Sequence, residues 1–464
     1  MPNTYYNYLN NKNIHTMKKN LLIIFALLMS MSYSAMAQGA GDVDSLTANH
    51  PEYQSTLPIG SVVPEIAAPD TLGNIVRLSS YRGKYVVLDF WATWCGDCRR
   101  EIPRLKEVYE KYKDMKVDGK SVEWLSLSFD TSAESWKNII RKERFPWTQI
   151  SNLKSTREDS TFKDYQLHWI PAFLIIDPEG KLVSTAITAD ALENNLFMLK
   201  KPDVYNLWPD GAPTSNGITA PEEDHTQFVV NVTKPVLTVY MPENPNGLAV
   251  LACPGGSYLQ VWQGTEGHNM AKWYTDQGIV YAVLKYRLPN GHKEVPLNDV
   301  HEAMRIMKSN QSKYGFTKLG IQGCSAGGHL ASTAATHFTN TDNRPDFQIL
   351  FYPVISFDPS FTHMLSREDL IGKNAKQDIV DLYSNEKQVT RDTPPAFIAS
   401  SSDDGLVPVR NSIEYYNALV ANKVPVSMHL YPTGGHGWFG NTSFIHRPQW
   451  TSELKAWLQQ QIEK

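Results

Sequence analysis

The strongest constraint on the fold is a sharp, glycine-rich turn in the second half of the chain. An apolar run at residues 319–322 is followed by GCSAGGHLA at residues 323–331, where a helical pattern begins. Glycine tolerates the backbone angles of so tight a turn, where another side chain would collide. The pattern G-x-S-x-G between a strand and a helix therefore predicts a nucleophile elbow that presents the hydroxyl of Ser325 above the sheet edge. The alternative, a chance loop of glycine and serine, does not account for the strand before it and the helix after it.

Strand-like and helix-like patterns alternate on both sides of this turn. Apolar runs of strand length lie at residues 248–253, 278–284, 319–322 and 396–399, and a helical pattern lies at residues 300–307. This alternation predicts an α/β fold with a mostly parallel sheet covered by helices.

Two later segments supply the groups that a serine nucleophile needs. Asp403 and Asp404 follow a strand candidate, and His436 lies in the sequence GGHGW at residues 434–438. A histidine takes the proton of the serine, and an aspartate holds the imidazole in the required tautomer. The chain order Ser, Asp, His therefore predicts a catalytic triad of Ser325, His436 and one of the two aspartates.

A second glycine-rich loop precedes the elbow. The sequence CPGGSY at residues 253–258 directly follows a strand candidate. Its place upstream of Ser325 predicts an oxyanion hole built from the backbone N–H groups of Gly256, Ser257 and Ala326. Taken alone, Pro-Gly-Gly is equally compatible with a simple turn, and its order relative to the serine favours the catalytic interpretation.

Several residues near these loops have a structural interpretation. His329 and His301 compete with His436 by residue type, but His329 lies on the helix after the elbow, where packing or capping is the expected role. Cys253 and Cys324 each lie beside a glycine-rich turn. We expect both to be small buried residues, with a disulfide as the alternative.

The first half of the chain contains a C-x-x-C pair. An apolar run at residues 85–91 leads to Cys95 and Cys98, and helical spacing follows. A thiol at a helix N-terminus meets free N–H groups and the positive end of the helix dipole, which stabilise its reactive thiolate form. The second thiol can then resolve a mixed disulfide. The pair is therefore predicted to be redox-active, with a metal site or a plain structural disulfide as alternatives.

This region resembles the thioredoxin superfamily, and most closely its exported cytochrome-maturation members. The likeness rests on the sequences FWATWCGDC and WIPAF. It implies a thioredoxin-like fold over residues 55–200, a cis-proline at Pro171 packed against the dithiol, and a buried acid at Asp89 that relays protons. Many members have proline where this chain has Asp97. A negative charge there disfavours the thiolate and opposes the effect of the helix dipole and of Arg99 and Arg100.

The second half resembles acetyl xylan and feruloyl esterases of polysaccharide-degrading bacteria. Beyond the elbow and the loop PGGSY, the likeness includes LKYRLP at residues 284–289, residues 366–372 and D-x-x-V-P at residues 404–408. It implies an α/β-hydrolase fold over residues 203–464 with no cofactor, and it selects Asp404 as the triad acid. The family usually has a third glycine where this chain has Ser257, a difference that bears on the shape of the oxyanion hole.

The N-terminus has the pattern of an export signal. A positive region at Lys18 and Lys19 precedes an apolar run at residues 21–31 and an Ala-x-Ala site ending at Ala37. This pattern predicts a signal peptide within residues 1–37 and hence a secreted, periplasmic protein. The run is short for a membrane anchor, the alternative, so no stable membrane span is expected. Translation from Met17 instead of Met1 is consistent with this arrangement.

The length and net charge of the chain limit its number of domains and the classes of function open to it. A chain of 464 residues exceeds one ordinary core, which predicts two domains after the N-terminal segment. The net charge of -4 provides no basic field for nucleic acid. No metal site is predicted.

Together the two halves predict a serine esterase that removes acetyl or feruloyl groups from plant polysaccharide such as xylan, fused to a thiol-disulfide oxidoreductase module. Its expected partners are an acylated oligo- or polysaccharide and a protein that exchanges disulfides. One alternative is a serine peptidase of the prolyl-oligopeptidase kind, although such enzymes normally carry a propeller domain before the hydrolase. Another is a thiol-disulfide protein whose hydrolase scaffold only binds.

Overall fold

The computed structural model describes residue 55 and residues 57–225 and 227–463. The chain divides into two compact units between Lys200 and Lys201. The predicted signal peptide lies outside the described residues. Within the part of the chain that the structure describes, no helix is long and apolar enough to cross a membrane.

The first unit is a mixed sheet flanked by helices, the thioredoxin-like fold. The central strand β3 pairs in parallel with β5 and antiparallel with β7, and β8 extends the sheet beyond β7. The strands are β1 (Ala67–Pro69), β2 (Ile75–Arg77), β3 (Tyr85–Trp91), β4 (Lys116–Val117), β5 (Lys120–Ser128), β6 (Thr148–Ser151), β7 (Ala172–Ile176) and β8 (Leu182–Ala186). The helices are α1 (Gly96–Tyr112), α2 (Ala133–Glu143), α3 (Ser160–Asp164) and α4 (Ala189–Leu199).

Helix α1 begins directly at the cysteine pair. Cys95 is its N-cap residue, with an extended backbone, and the sulfur of Cys95 accepts the N–H of Cys98 at 3.1 Å. Apolar side chains spaced three or four residues apart then face the core, as one side of a helix requires. These buried residues are Ile102, Leu105, Val108 and Tyr112. The position of the dithiol is thus fixed by a helix that buries one apolar face.

The second unit has the predicted α/β-hydrolase architecture, built on an eight-stranded sheet in the order β19-β18-β17-β16-β13-β15-β12-β9. The six strands from β19 to β15 are parallel, and β12 is antiparallel to both of its neighbours. The strands are β9 (Asp203–Asn206), β10 (Glu223–Asp224), β11 (Val229–Val230), β12 (Val236–Tyr240), β13 (Gly247–Cys253), β14 (Gln260–Val261), β15 (Val280–Lys285), β16 (Phe316–Cys324), β17 (Gln348–Phe351), β18 (Ala396–Ser401) and β19 (Val426–Tyr431). Because parallel strands end at one edge, the loops after β13, β16, β18 and β19 meet there.

Helices cover this sheet. They are α5 (Ala271–Asp276), α6 (Val295–Ser309), α7 (Gln311–Tyr314), α8 (Ser325–Thr336), α9 (Met364–Ile371), α10 (Gln377–Leu382), α11 (Arg410–Ala421) and α12 (Arg447–Glu463). Helix α6 begins five residues before the predicted start at Val300. Pro296 lies in its first turn, where a missing N–H costs nothing.

A buried ion pair ties the beginning of the second unit to the sheet. The guanidinium of Arg287 contacts the carboxylate of Asp299 at 2.6 Å, and both side chains are almost fully buried. Asp299 also accepts the indole N–H of Trp208 at 2.7 Å, while Arg287 donates to the carbonyl of Thr214. The carboxylate therefore joins helix α6, the loop after β15 and the entry segment near Trp208.

We expect Asp299→Ala to lower the free energy of unfolding by about 3–5 kcal/mol, because it leaves the buried charge of Arg287 without its partner. The measurement is urea denaturation of the full chain. The control is Glu414→Ala, which breaks an ion pair with Arg410 on the surface of helix α11. This change should lower the free energy of unfolding by less than about 1 kcal/mol. Equal losses in the two variants would contradict this account.

Candidate active site

The turn that carries Ser325 requires its glycines. Strand β16 ends at Cys324, and helix α8 begins at Ser325, whose φ of 54° is strained for a residue with a side chain. A Cβ added to Gly323 would lie 2.1 Å from the carbonyl oxygen of Gly327. A Cβ added to Gly327 would lie 2.0 Å from the carbonyl oxygen of Cys253. The elbow is therefore packed on itself and against the loop after β13.

The structure brings Ser325, His436 and Asp404 together in the geometry of a catalytic triad. Nε2 of His436 lies 2.8 Å from Oγ of Ser325, and Nδ1 of His436 lies 2.7 Å from Oδ2 of Asp404. The other oxygen of Asp404 accepts the N–H groups of Leu406 and Val407, both at 2.9 Å. These bonds fix the carboxylate, which in turn orients the imidazole toward the serine.

The neighbouring Asp403 bonds the backbone and not the imidazole. Its carboxylate accepts the N–H groups of Gly434 at 3.2 Å and Gly435 at 2.8 Å. Asp403 thus holds the backbone just before His436, whereas Asp404 holds the ring.

The loop formed by residues 253–258, called the oxyanion loop below, lies against the elbow. A Cβ added to Gly255 would lie 2.9 Å from Cβ of Ser325. Gly256 and Ser257 have φ values of 126° and 59°, so Ser257 adopts a conformation that the usual third glycine would reach without strain. Among the described residues, no acceptor is assigned to the N–H groups of Gly256 and Ser257. Ala326 lies in the first turn of α8, where N–H groups have no partner within the helix. The loop thus presents the N–H donors proposed for the oxyanion hole.

Two tyrosines anchor the oxyanion loop. The hydroxyl of Tyr286 donates to the carbonyl of Pro254 at 2.8 Å, and the hydroxyl of Tyr258 lies 2.9 Å from Nδ1 of His329. Nε2 of His329 lies 2.8 Å from the carbonyl oxygen of Tyr383. Because a carbonyl only accepts, Nε2 carries the proton and Nδ1 accepts from Tyr258. Burial lowers the pKa of His329 to about 3, so this histidine is a neutral structural residue.

His301 and the two cysteines near the glycine-rich turns, Cys253 and Cys324, lie outside the triad. Nε2 of His301 is buried with no hydrogen-bond partner in the described part of the chain. Cys253 and Cys324 are buried free thiols, and burial raises the pKa of each. Strand pairing places Cys253 beside Gly323, so Cys324 points to the opposite face of the sheet. The two thiols are small buried residues and are not linked.

Three residues beside the triad were not predicted from the sequence: Tyr352, Glu266 and His363. The ring of Tyr352 lies 4.7 Å from the ring of His436, and the hydroxyl of Tyr352 donates to the buried carboxyl of Glu266. The pKa of His363 is lowered to about 4 by burial and by the charge of His436. No spacing pattern marks these residues, because each reaches the site through tertiary packing.

In the first unit, Cys95 and Cys98 form a disulfide at the start of α1. The sulfur of Cys95 lies 3.4 Å from the carbonyl oxygen of Ile170, and the Ile170–Pro171 bond is cis. A small cavity is lined by Cys98, Pro171 and Asp89. The strand, helix and proline segment therefore meet at the dithiol.

Two acids near the dithiol differ in environment. Asp89 is buried, which raises its pKa to about 7, and its carboxylate accepts the hydroxyl of Ser126 at 2.7 Å. A carboxyl with this pKa can exchange protons near neutral pH. Asp97 is paired with the exposed guanidinium of Arg100, so its charge is partly compensated.

Fold and site together define a serine hydrolase of the α/β-hydrolase fold joined to a thioredoxin-like dithiol domain. Residues 255–440 match the family model described as alpha/beta hydrolase fold, and residues 59–185 match the AhpC/TSA family. Through its first unit the chain belongs to the thioredoxin-like proteins of the AhpC/TSA family, and its second unit has the α/β-hydrolase fold.

Similar proteins exist for each half. The chain is 38% identical over 241 residues to an acetylxylan esterase of Xylanibacter ruminicola, covering 50% of each protein. It is 30% identical over 185 residues to the thiol-disulfide oxidoreductase ResA of Bacillus cereus, covering 39% of this chain and 97% of that protein. A solved acetyl ester-xyloside bifunctional hydrolase from Caldicellulosiruptor lactoaceticus is 32% identical with a TM-score of 0.48, covering 56% of this chain and 96% of that one. The chain spans half the length of the acetylxylan esterase it matches.

We expect Asp404→Asn to slow the phosphonylation of Ser325 by a fluorophosphonate roughly 10³- to 10⁴-fold, because an amide no longer fixes the productive tautomer of His436. The matched variant is Asp403→Asn, which keeps an oxygen acceptor for the backbone before His436. Its rate of phosphonylation should fall far less. The rate of loss of free Ser325, followed by mass spectrometry, ranks the two. The reverse ranking would assign the triad acid to Asp403.

Proposed function

We propose that the second unit is a carbohydrate esterase that removes acetyl or feruloyl groups from plant polysaccharide such as xylan. The observation that carries this proposal is the hydrogen-bonded chain from Asp404 through His436 to Ser325, with backbone donors of the oxyanion loop beside it. The likeness to an acetylxylan esterase supports the substrate class.

The geometry supports a two-step acyl transfer. His436 takes the proton of Ser325 as Oγ attacks the ester carbonyl, and the oxyanion loop binds the developing negative charge. The protonated imidazole then gives its proton to the departing sugar hydroxyl, leaving an acyl-serine. Water attacks this ester as His436 takes its proton, and the imidazolium then returns a proton to Oγ, so that the carboxylic acid leaves and Ser325 is restored.

The other two interpretations fit less well. A peptidase of the prolyl-oligopeptidase kind normally has a propeller before the hydrolase, whereas the first unit here is thioredoxin-like. A non-catalytic scaffold would not need a triad with hydrogen bonds of 2.7 and 2.8 Å between its members.

For the first unit, we propose thiol-disulfide exchange with a partner protein. In the reduced form, the thiolate of Cys95 would attack a disulfide of the partner, releasing one partner thiolate and forming a mixed disulfide. Cys98 would then attack Cys95, releasing the second partner thiolate and restoring the disulfide seen here. Asp89 can accept the proton that Cys98 loses. The exposed indole of Trp94 provides contact area for a partner chain.

We also propose that the protein is exported to the periplasm. The support is the N-terminal pattern of positive charge, apolar run and small residues before position 38. Cell fractionation with detection of the mature N-terminus tests this assignment, and an intact N-terminus in the cytoplasm would contradict it.

Ser325→Ala should reduce deacetylation of acetylated xylo-oligosaccharides by about 10⁶-fold, because the variant lacks the nucleophile. The assay is release of acetate, followed beside release of ferulate from a feruloylated panel. Ser332→Ala removes another buried serine of helix α8 and serves as the matched control, with activity close to wild type. Near-normal hydrolysis by a purified Ser325→Ala protein would refute the assignment.

Replacing both Cys95 and Cys98 by serine should leave ester hydrolysis within about twofold of wild type, because the triad contains no thiol and lies in a separate compact unit. The same variant should lose all disulfide reductase activity. The measurement is esterase rate against ambient redox potential. A rate that steps with potential in the wild type and is flat in the double variant would show that the two sites are coupled.

A further inference from the structure

A buried carboxyl next to the triad has no role in the acyl-transfer chemistry described above. Glu266 lies in the segment after β14 and is only 7% exposed. Burial raises the pKa of this carboxyl, while the charge of His436 opposes that rise. A carboxyl placed so deeply is costly unless its oxygens are bonded.

One oxygen of Glu266 holds the oxyanion loop. Oε2 accepts the N–H of Gly255 at 2.7 Å. A Cβ added to Gly255 would lie 2.6 Å from the same oxygen, so the backbone and the carboxyl are in direct contact. Gly255 immediately precedes Gly256 and Ser257, whose N–H groups have no acceptor among the described residues. Moving the carboxyl would therefore move the donors of the oxyanion hole.

The other oxygen of Glu266 is linked through Tyr352 to the loop that carries the catalytic base, residues 432–446, called the His436 loop below. Oε1 accepts the hydroxyl of Tyr352 at 3.0 Å, and that hydroxyl accepts the N–H of Phe439 at 3.2 Å. The ring of Tyr352 packs at 4.7 Å from His436. A Cβ added to Gly440 would lie 1.9 Å from the carbonyl oxygen of Thr265, so the segment that carries Glu266 also touches the His436 loop directly.

We propose that Glu266 is a positioning residue that fixes the oxyanion loop and the His436 loop relative to each other. The inference rests on the proposed ester hydrolysis, because it assigns Glu266 to the same reaction. Oxyanion donors stabilise a transition state only when they are already in place, and a displacement of about 1 Å can cost 10²-fold in rate. One carboxyl, bonded directly to the oxyanion loop and through Tyr352 to the His436 loop, supplies that fixed geometry.

The test compares Glu266→Ala and Glu266→Gln with wild type in the full chain, using p-nitrophenyl acetate. Organophosphate titration counts reactive serines, so kcat is expressed per competent site. We expect Glu266→Ala to lower kcat about 10²-fold with KM within about threefold, because the interaction acts on the transition state. Glu266→Gln keeps an acceptor for Gly255 but lacks the charge, so its kcat should fall by about tenfold. The affinity for a trifluoromethyl ketone, whose hemiketal carries an oxyanion, should weaken in proportion to kcat.

A purely structural role gives a different pattern. It would lower the thermal midpoint and the number of titratable serines while leaving kcat per serine and ketone affinity unchanged. Glu386→Gln is the matched control, since burial also raises the pKa of that carboxyl, which bonds Ser356. Its kcat should match wild type.

Unchanged kcat per titrated serine in Glu266→Ala would overturn the proposal. If that variant does not fold, Glu266→Gln decides, and kcat and ketone affinity equal to wild type would overturn it. If wild type hydrolyses no ester, the proposed function fails separately. The rate of phosphonylation of Ser325 then replaces kcat, because that reaction uses the same donors and base without an ester.

Discussion

The hydrolytic site depends on how closely the elbow packs against the end of strand β13. The backbone of Gly327 lies where any Cβ would meet the carbonyl of Cys253, and Gly323 would meet Gly327 itself. This contact sets Ser325 and the oxyanion loop at a fixed separation before any side chain is considered. The strain of a positive φ at Ser325 is held by the strand pairing of β13 with β16 on one side and by helix α8 on the other.

Around this contact, polar groups hold each loop by at least one hydrogen bond. Tyr286 and Tyr258 fix the oxyanion loop, and Asp403 fixes the backbone before His436. Glu266 bonds directly to the oxyanion loop and reaches the His436 loop through Tyr352. The polar atoms of the buried groups, Tyr286, Tyr258 and Glu266, are expensive to bury without partners, so their bonds select one arrangement of the loops. The catalytic geometry is thus a property of the polar core beneath the strand ends.

Much of the fold and the main residues of the site could be predicted from the sequence, because their signals are local. The strand, glycine turn and helix around Ser325 occupy adjacent positions, whereas the choice of Asp404 over Asp403 came from the resemblance to acetyl xylan and feruloyl esterases, whose pattern is D-x-x-V-P. Glu266 and Tyr352 carry no such signal, since their positions depend on contacts between segments 86 residues apart. Helix α6 was predicted too short because its first turn is held by Pro296 and the buried Val295, and no periodic apolar pattern extends that far.

The opposite orientation of Cys253 and Cys324 has a consequence for the order of folding. Once β13 and β16 pair, the sheet itself separates the two thiols, and neither can react with the other. Before that pairing forms, the chain has four cysteines, of which only Cys95 and Cys98 are close in sequence. The β13–β16 ladder joins strands more than 60 residues apart, and such long-range parallel pairing forms slowly. In an oxidising compartment, early closure of the short C-x-x-C loop would therefore protect the hydrolase half from mispaired disulfides while its sheet assembles.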